Sequence, residues 1–193
     1  MAGSGTNTVE TILNDIHDDD NNWIRTSGSG ALKTISVSQA LAAAGEYAAE
    51  DVMCNDATTG IPWTFAAVSR TNGAYGYVTK AQALLETTAL TPRLTMYLFN
   101  ATPTSEMDDN KANAAPAYAD LAQYVGKIDF PAMEDLGGMS EAVATPSTTG
   151  NLPLAFKCAS DADDLIGILV TRDATSGATA TDVMTIRLTI EQY

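Results

Sequence analysis

"PRLTMYLFNATPT", Pro92 to Thr104, is the stretch that decides the fold class. Leu94, Met96 and Leu98 fall on one parity, Thr95, Tyr97 and Phe99 on the other, and the run stops at Asn100, ahead of Pro103. Successive side chains of a strand point to opposite faces. The segment therefore reads as a strand with an aliphatic face for a core and an aromatic second face that covers either a helix or a neighbouring chain. Such a wall belongs to a ligand pocket, an enzyme or a building block. A pocket needs polar groups converging on the apolar wall, and the sequence offers none here, so the building block is the expectation.

Working outward, the same alternation recurs. "LKTISVS" (Leu32–Ser38) alternates through Ile35 and Val37, and "IPWTFAAV" (Ile61–Val68) puts Trp63 and Phe65 on one parity. "AYGYVTKAQALLET" (Ala74–Thr87) places Tyr75, Tyr77, Ala81, Ala83 and Leu85 on one face, with Lys80, Gln82 and Glu86 on the other. "LPLAFKC" alternates through Leu152, Leu154, Phe156 and Cys158. "LIGILVT" (Leu165–Thr171) is nearly continuous apolar, as for a central strand covered on both sides. "VMTIRLTIEQY" sends Met184, Ile186, Leu188 and Ile190 inward against Thr185, Arg187, Thr189 and Glu191. Turn residues punctuate these runs at Thr58–Gly60, Thr71–Ala74, Leu136–Met139 and Ser176–Thr179.

Two segments break the pattern. "APAYADLAQYVG" (Ala115–Gly126) carries Tyr118, Leu121, Ala122 and Val125 at helical spacing after Pro116, which predicts a short helix inside a crossing loop. In "ISVSQALAAAGEYAAEDVM" (Ile35–Met53) the alanines favour helix, while Gly45 and the flanking pattern favour a loop between strands. Taken together, residues 31–193 are expected to form one all-β domain, an antiparallel β-sandwich of jelly-roll type.

Residues 1–30 read differently, as an N-terminal arm. Val9, Ile12, Leu13 and Ile16 have the spacing of one helical face, with Thr8 as N-cap. His17 and the acid run "DDDNN" then end the helix, because negative charge opposes the macrodipole at a C-terminus. Trp23 and Ile24 form a second anchor before the Gly-Ser linker "TSGSG" (Thr26–Gly30). These six apolar residues are the candidate partner-binding set, unless the arm folds back onto its own core.

Composition narrows the function classes. The chain has 193 residues, 10 Lys and Arg against 24 Asp and Glu, a net charge of −14, and 18% charged residues. Scattered basic residues make no positive track for a phosphate backbone, and an anionic membrane repels such a surface, so neither nucleic acid nor membrane is an expected partner. No apolar run reaches membrane-spanning length and no signal peptide is evident, which makes the cytoplasm the expected site of synthesis. Cys54 and Cys158 lie in no CxxC pattern and are expected to be buried free thiols, although a disulfide between them stays open.

Catalytic sets are missing from the sequence. The single histidine, His17, sits in the arm, a poor place to hold a triad. No P-loop, GxGxxG or GxSxG occurs. Paired carboxylates of the glycosidase kind are available by residue type, but the acids cluster in turns: Asp108 with Asp109, Glu134 with Asp135, Asp161 with Asp163 and Asp164. "SEMDDN" and "SDADD" offer hard oxygen ligands for calcium without the EF-hand order, and solvated turn acids are the expectation. No enzyme activity, cofactor or metal is expected.

From about Thr34 onward the chain resembles the tailed-phage virion structural proteins of the capsid decoration, or cement, kind. The strings that carry the resemblance are "ISVSQALAAAGEYAAEDVM", "TALTPRLTMYLFNATPT", "YVGKIDFPAMEDLGG", "DDLIGILVTRDA" and "MTIRLTIEQY". They are framework strings and not a catalytic signature. The resemblance implies a jelly-roll-like sandwich on the capsid exterior that binds the major capsid protein between capsomers, commonly as a homotrimer. It does not reach residues 1–30. A carbohydrate- or receptor-binding jelly-roll module of a phage fibre or tail is the alternative, and a small two-carboxylate hydrolase a more distant one.

Overall fold

The most regular alternation in the chain becomes the centre of the larger sheet. In the computed structural model, which describes residues 31–42, 45–88, 90–147, 151–178 and 181–193, strand β12 (Val183–Gln192) turns Met184, Ile186, Leu188 and Ile190 fully inward. It lies between β1 (Ala31–Ala40) and β4 (Tyr75–Leu85), antiparallel to both. One half of β4 pairs next with β8 (Ser140–Ala144), which carries the two-residue β7 (Glu134–Asp135), and the other half with β9 (Leu154–Lys157).

The second sheet runs β3 (Trp63–Phe65), β10 (Leu165–Thr171), β5 (Leu94–Phe99), β6 (Tyr124–Phe130), again antiparallel throughout. β2 (Gly45–Tyr47) and β11 (Thr175–Ala178) make a separate two-stranded ribbon. The pairings are nested: β1 with β12, β3 with β10, β4 with β8 and β9, β5 with β6. One long antiparallel strip folded back on itself and rolled into two facing sheets has this pairing, which is the jelly-roll winding of a β-sandwich.

The sheets meet over one apolar cluster, with Trp63, Phe65, Met96, Leu98 and Leu169 from one side and Ala81, Ala83, Ile186 and Leu188 from the other. Small alanines on β4 opposite large side chains let the layers interdigitate. β10 is buried at all seven positions, as its continuous apolar run requires.

Two expectations are corrected. The helix expected at Ala115–Gly126 is a single 3-10 turn, Tyr118–Asp120, and β6 already begins at Tyr124. Tyr118 and Leu121, the would-be inner stripe, are exposed at 89% and 51%, so no face was there to bury. Gly126, at φ +155, sits beside a register shift against Leu98 and Phe99, a backbone conformation suited to glycine. The ambiguous segment Ile35–Met53 resolves in favour of the connection between strands: β1 runs to Ala40 and β2 follows, with no helix among the described residues.

The second correction concerns β4. Thr189 pairs with Lys80 and Ile190 with Val78, leaving Thr79 as an extra residue. Such a bulge reverses the parity of everything beyond it. Ala81, Ala83 and Leu85 point inward as expected, but Tyr75 and Tyr77 point outward, and Gly76 and Val78 take the inner positions.

Gly76 packs directly against the Glu191 carbonyl and the Phe156 ring, where a β-carbon has no room. Replacing it, Gly76→Ala, should destabilise the fold by about 1–3 kcal/mol as an overpacked core position. Gly138→Ala, where a methyl meets open space, should leave the melting temperature nearly unchanged. Calorimetry on the two variants checks the pair.

Candidate functional site

The six arm residues singled out above, Val9, Ile12, Leu13, Ile16, Trp23 and Ile24, lie outside the described residues, as does His17. The candidates that can be placed are the loop acids, the two thiols and the second aromatic face of β5.

That face is covered by the chain itself. Tyr97 and Phe99 join Ile166, Ile168 and Val170 of β10 in a second apolar cluster, roofed by Val52 and Ala115 with Met107 and Tyr124. The roof comes from the segment before β3 and from the long β5–β6 connection. Neither the helix nor the neighbouring chain expected over Tyr97 and Phe99 is needed there.

The roof is polar backbone laid over an apolar sheet, so its N–H groups require acceptors. The loop acids supply them. Asp109, 1% exposed, accepts from the Tyr47 hydroxyl at 2.9 Å and the Cys54 amide at 2.7 Å. Asp108 accepts from the Gly60 amide at 2.8 Å, and Glu106 from the amides of Met107 and Asp108. Asp120, 2% exposed, takes four bonds: both the amide and the hydroxyl of Thr104 and of Ser105, at 2.6–2.9 Å. Asp51 accepts from the Ala48 amide at 2.7 Å. The acids of "SEMDDN", expected as solvated turn residues, are instead the pins of the roof. Their lone pairs face donors of the same chain, and among the described residues no group of three or more His, Cys, Asp or Glu is gathered for a metal.

The electrostatics follow from these contacts. Hydrogen bonds from the Ser105 hydroxyl and the Thr104 amide hold the Asp120 carboxyl below its ordinary range. Cys54 is pushed up to about 11, mainly by burial, and donates to the Met107 and Asp56 carbonyls. Burial raises Cys158 too. Both thiols are free and buried, which answers the disulfide question left open by sequence. At the surface, Arg93 grips Asp173 through several hydrogen bonds, the shortest 2.6 Å, and holds that carboxyl at about 2.

What the sequence missed is on the opposite side of the molecule. The outer face of the larger sheet is mainly polar or half-buried along β12 and β4, but at the start of β1 it turns apolar. Leu32 is 67% exposed, Tyr75 57%, Tyr77 40% and Tyr193 38%. Tyr75 and Tyr193 lie parallel with centroids 6.0 Å apart, and Tyr77 meets Tyr193 edge-on at 5.9 Å. The Tyr193 hydroxyl donates to Glu191 at 3.1 Å, and that carboxylate raises its pKa. This tyrosine ledge exists because of the Thr79 bulge. A strict period of two hides it, and no residue in the segment signals the slip.

Two predictions come from the pinned roof. Neither Cys54 nor Cys158 should react with a thiol reagent in the native protein, and both should react after denaturation. For Asp120, the folded pKa lies below the unfolded one, so its contribution is complete above the unfolded carboxyl range and is lost as pH falls through the folded value. Asp120→Asn should therefore melt lower than the parent at neutral pH, with the gap closing as pH falls through the lowered folded value. No protein-family model and no curated protein matches the chain, so the roles of these groups rest on their geometry.

Proposed function

We propose that the chain is a non-enzymatic virion structural protein that decorates and stabilises the outer surface of a phage capsid by binding the major capsid protein between capsomers, as a homotrimer. The observation that carries this reading is how the fold uses its reactive groups. The buried carboxylates Asp109 and Asp120 are bonded to the chain's own loops, and the thiols are packed away with raised pKa. A doubly layered sandwich pinned in this way is a rigid block whose function resides in its surface. The chain's net charge of −14 suits the outside of a shell and opposes contact with the packaged genome.

One observation favours a second reading, a carbohydrate- or receptor-binding module of a fibre or tail. The exposed rings of Tyr75, Tyr77 and Tyr193 offer apolar surface with a carboxylate beside it. A platform of this kind can hold a sugar.

Immunogold labelling of virions that carry the chain separates the two. Gold distributed over the faceted shell, with the protein co-sedimenting at a fixed copy number on emptied capsids, is the expected result. Label confined to tail or fibre, together with a signal on a glycan array, would replace decoration by the second reading.

A further inference from the structure

The tyrosine ledge lies where residues 1–30 join the sandwich. Ala31 is opposite Gln192, which is opposite Gly76, and the next row aligns Leu32, Glu191 and Tyr77. The Tyr193 amide bonds the Tyr75 carbonyl, one row beyond. The chain thus enters β1 beside Tyr193 and Tyr75, and its second described residue, Leu32, is itself part of the exposed apolar surface.

Just upstream stand Trp23 and Ile24, then Arg25, then "TSGSG". Ile24 is seven residues from Ala31, a tether of up to about 25 Å when extended. Gly28 and Gly30 permit the reversal that would carry Trp23 and Ile24 back over the sheet. A Gly-Ser tether this short corresponds to an effective concentration on the order of millimolar. A second copy in dilute solution offers far less. Charge agrees with the placement. Arg25 is the only lysine or arginine among residues 1–30, and the ledge carries the Glu191 carboxylate between Leu32 and Tyr77.

From this we infer that Trp23 and Ile24 dock on the ledge of their own chain, packed on Leu32, Tyr77 and Tyr193, with Arg25 beside Glu191. The docking covers an apolar patch that is otherwise open to water. It also fixes where the rest of the arm starts. Val9, Ile12, Leu13 and Ile16 are then left as the stripe that meets a partner, and this last point alone rests on the decoration reading.

The test uses the full chain and needs no capsid. Trp63 is buried in the core, so the difference between the emission of the parent and of Trp23→Phe isolates Trp23. The expected Trp23 spectrum is blue-shifted, poorly quenched by acrylamide, and unchanged on about a hundredfold dilution of a monomeric sample. In the double variant Leu32→Ser, Tyr77→Ser, the emission should move to that of a free indole, and trypsin should cut after Arg25 about tenfold faster. A Trp23 spectrum of a free indole in the parent would overturn the inference. So would cleavage equally fast in parent and variant. A blue shift lost on dilution would assign the ledge to a second copy and overturn the same-chain docking. Should the double variant fail to fold, seen as a shift of Trp63 emission, the parent's quenching and dilution series decide alone. Capsid binding enters none of these readouts, so failure here and failure of the decoration reading are separable.

Discussion

Everything in this structure depends on one requirement: strands β5 and β10 are apolar on both faces, so both faces have to be covered. The inner face is met by the larger sheet. The outer face is met by the chain's own loops, which bring Val52, Ala115 and Met107, together with Tyr124 at the start of β6, onto Tyr97, Phe99, Ile166 and Val170. Loops are polar backbone, and covering a sheet with them is costly unless their amides find acceptors. Asp109, Asp120, Asp108 and Glu106 are those acceptors. The long β5–β6 connection follows from this requirement, and so does the burial of several acids in a chain that is otherwise acid-coated. The larger sheet is under no such demand. It buries one face only, and its strands alternate accordingly.

That difference decides what could be read from sequence. Alternation in "VMTIRLTIEQY" and continuity in "LIGILVT" report one-sided and two-sided burial directly, and both are met in the structure. Several such runs with long irregular connections between them, and one at the C-terminal end, point to an antiparallel sandwich, but which strand pairs with which is visible only in the fold. The roof was not legible. A carboxylate in a loop looks the same on paper whether it faces water or a buried amide, and only the tertiary placement of Tyr47 and Cys54 separates the cases for Asp109. The helix read into Ala115–Gly126 failed for a related reason. A 3.6-residue spacing of apolar residues matters only if a face exists to receive them, and Tyr118 and Leu121 have none.

The bulge in β4 conceals from the sequence pattern an exposed group of three rings, Tyr75, Tyr77 and Tyr193. A bulge adds one residue without changing composition or propensity, so no single-strand pattern registers it. Its effect appears only against the partner, where β12 keeps an unbroken period while β4 skips Thr79. The slip moves two tyrosines from core to surface and gives the inner row to Gly76 and Val78, beside Phe156 of β9. Sequence reading placed the candidate interaction surfaces in the arm and on the aromatic face of β5. The structure adds another apolar surface at the point where that arm begins.

The nested winding also has a consequence for synthesis. β12 follows every other strand in the chain, yet it sits between β1 and β4 in the larger sheet. Until it leaves the ribosome, β1 has no partner and the inner row of β4 is covered on one side only. The four-stranded sheet lacks β10 until almost as late. A nascent chain of this topology can therefore form the β5–β6 hairpin early, but it cannot close its core until its last strands have emerged. During that interval its apolar rows are open to other chains. A low density of basic residues and a strong common negative charge keep those unfinished chains apart. The acidity assigned above to the finished surface thus protects the molecule first while it is being made.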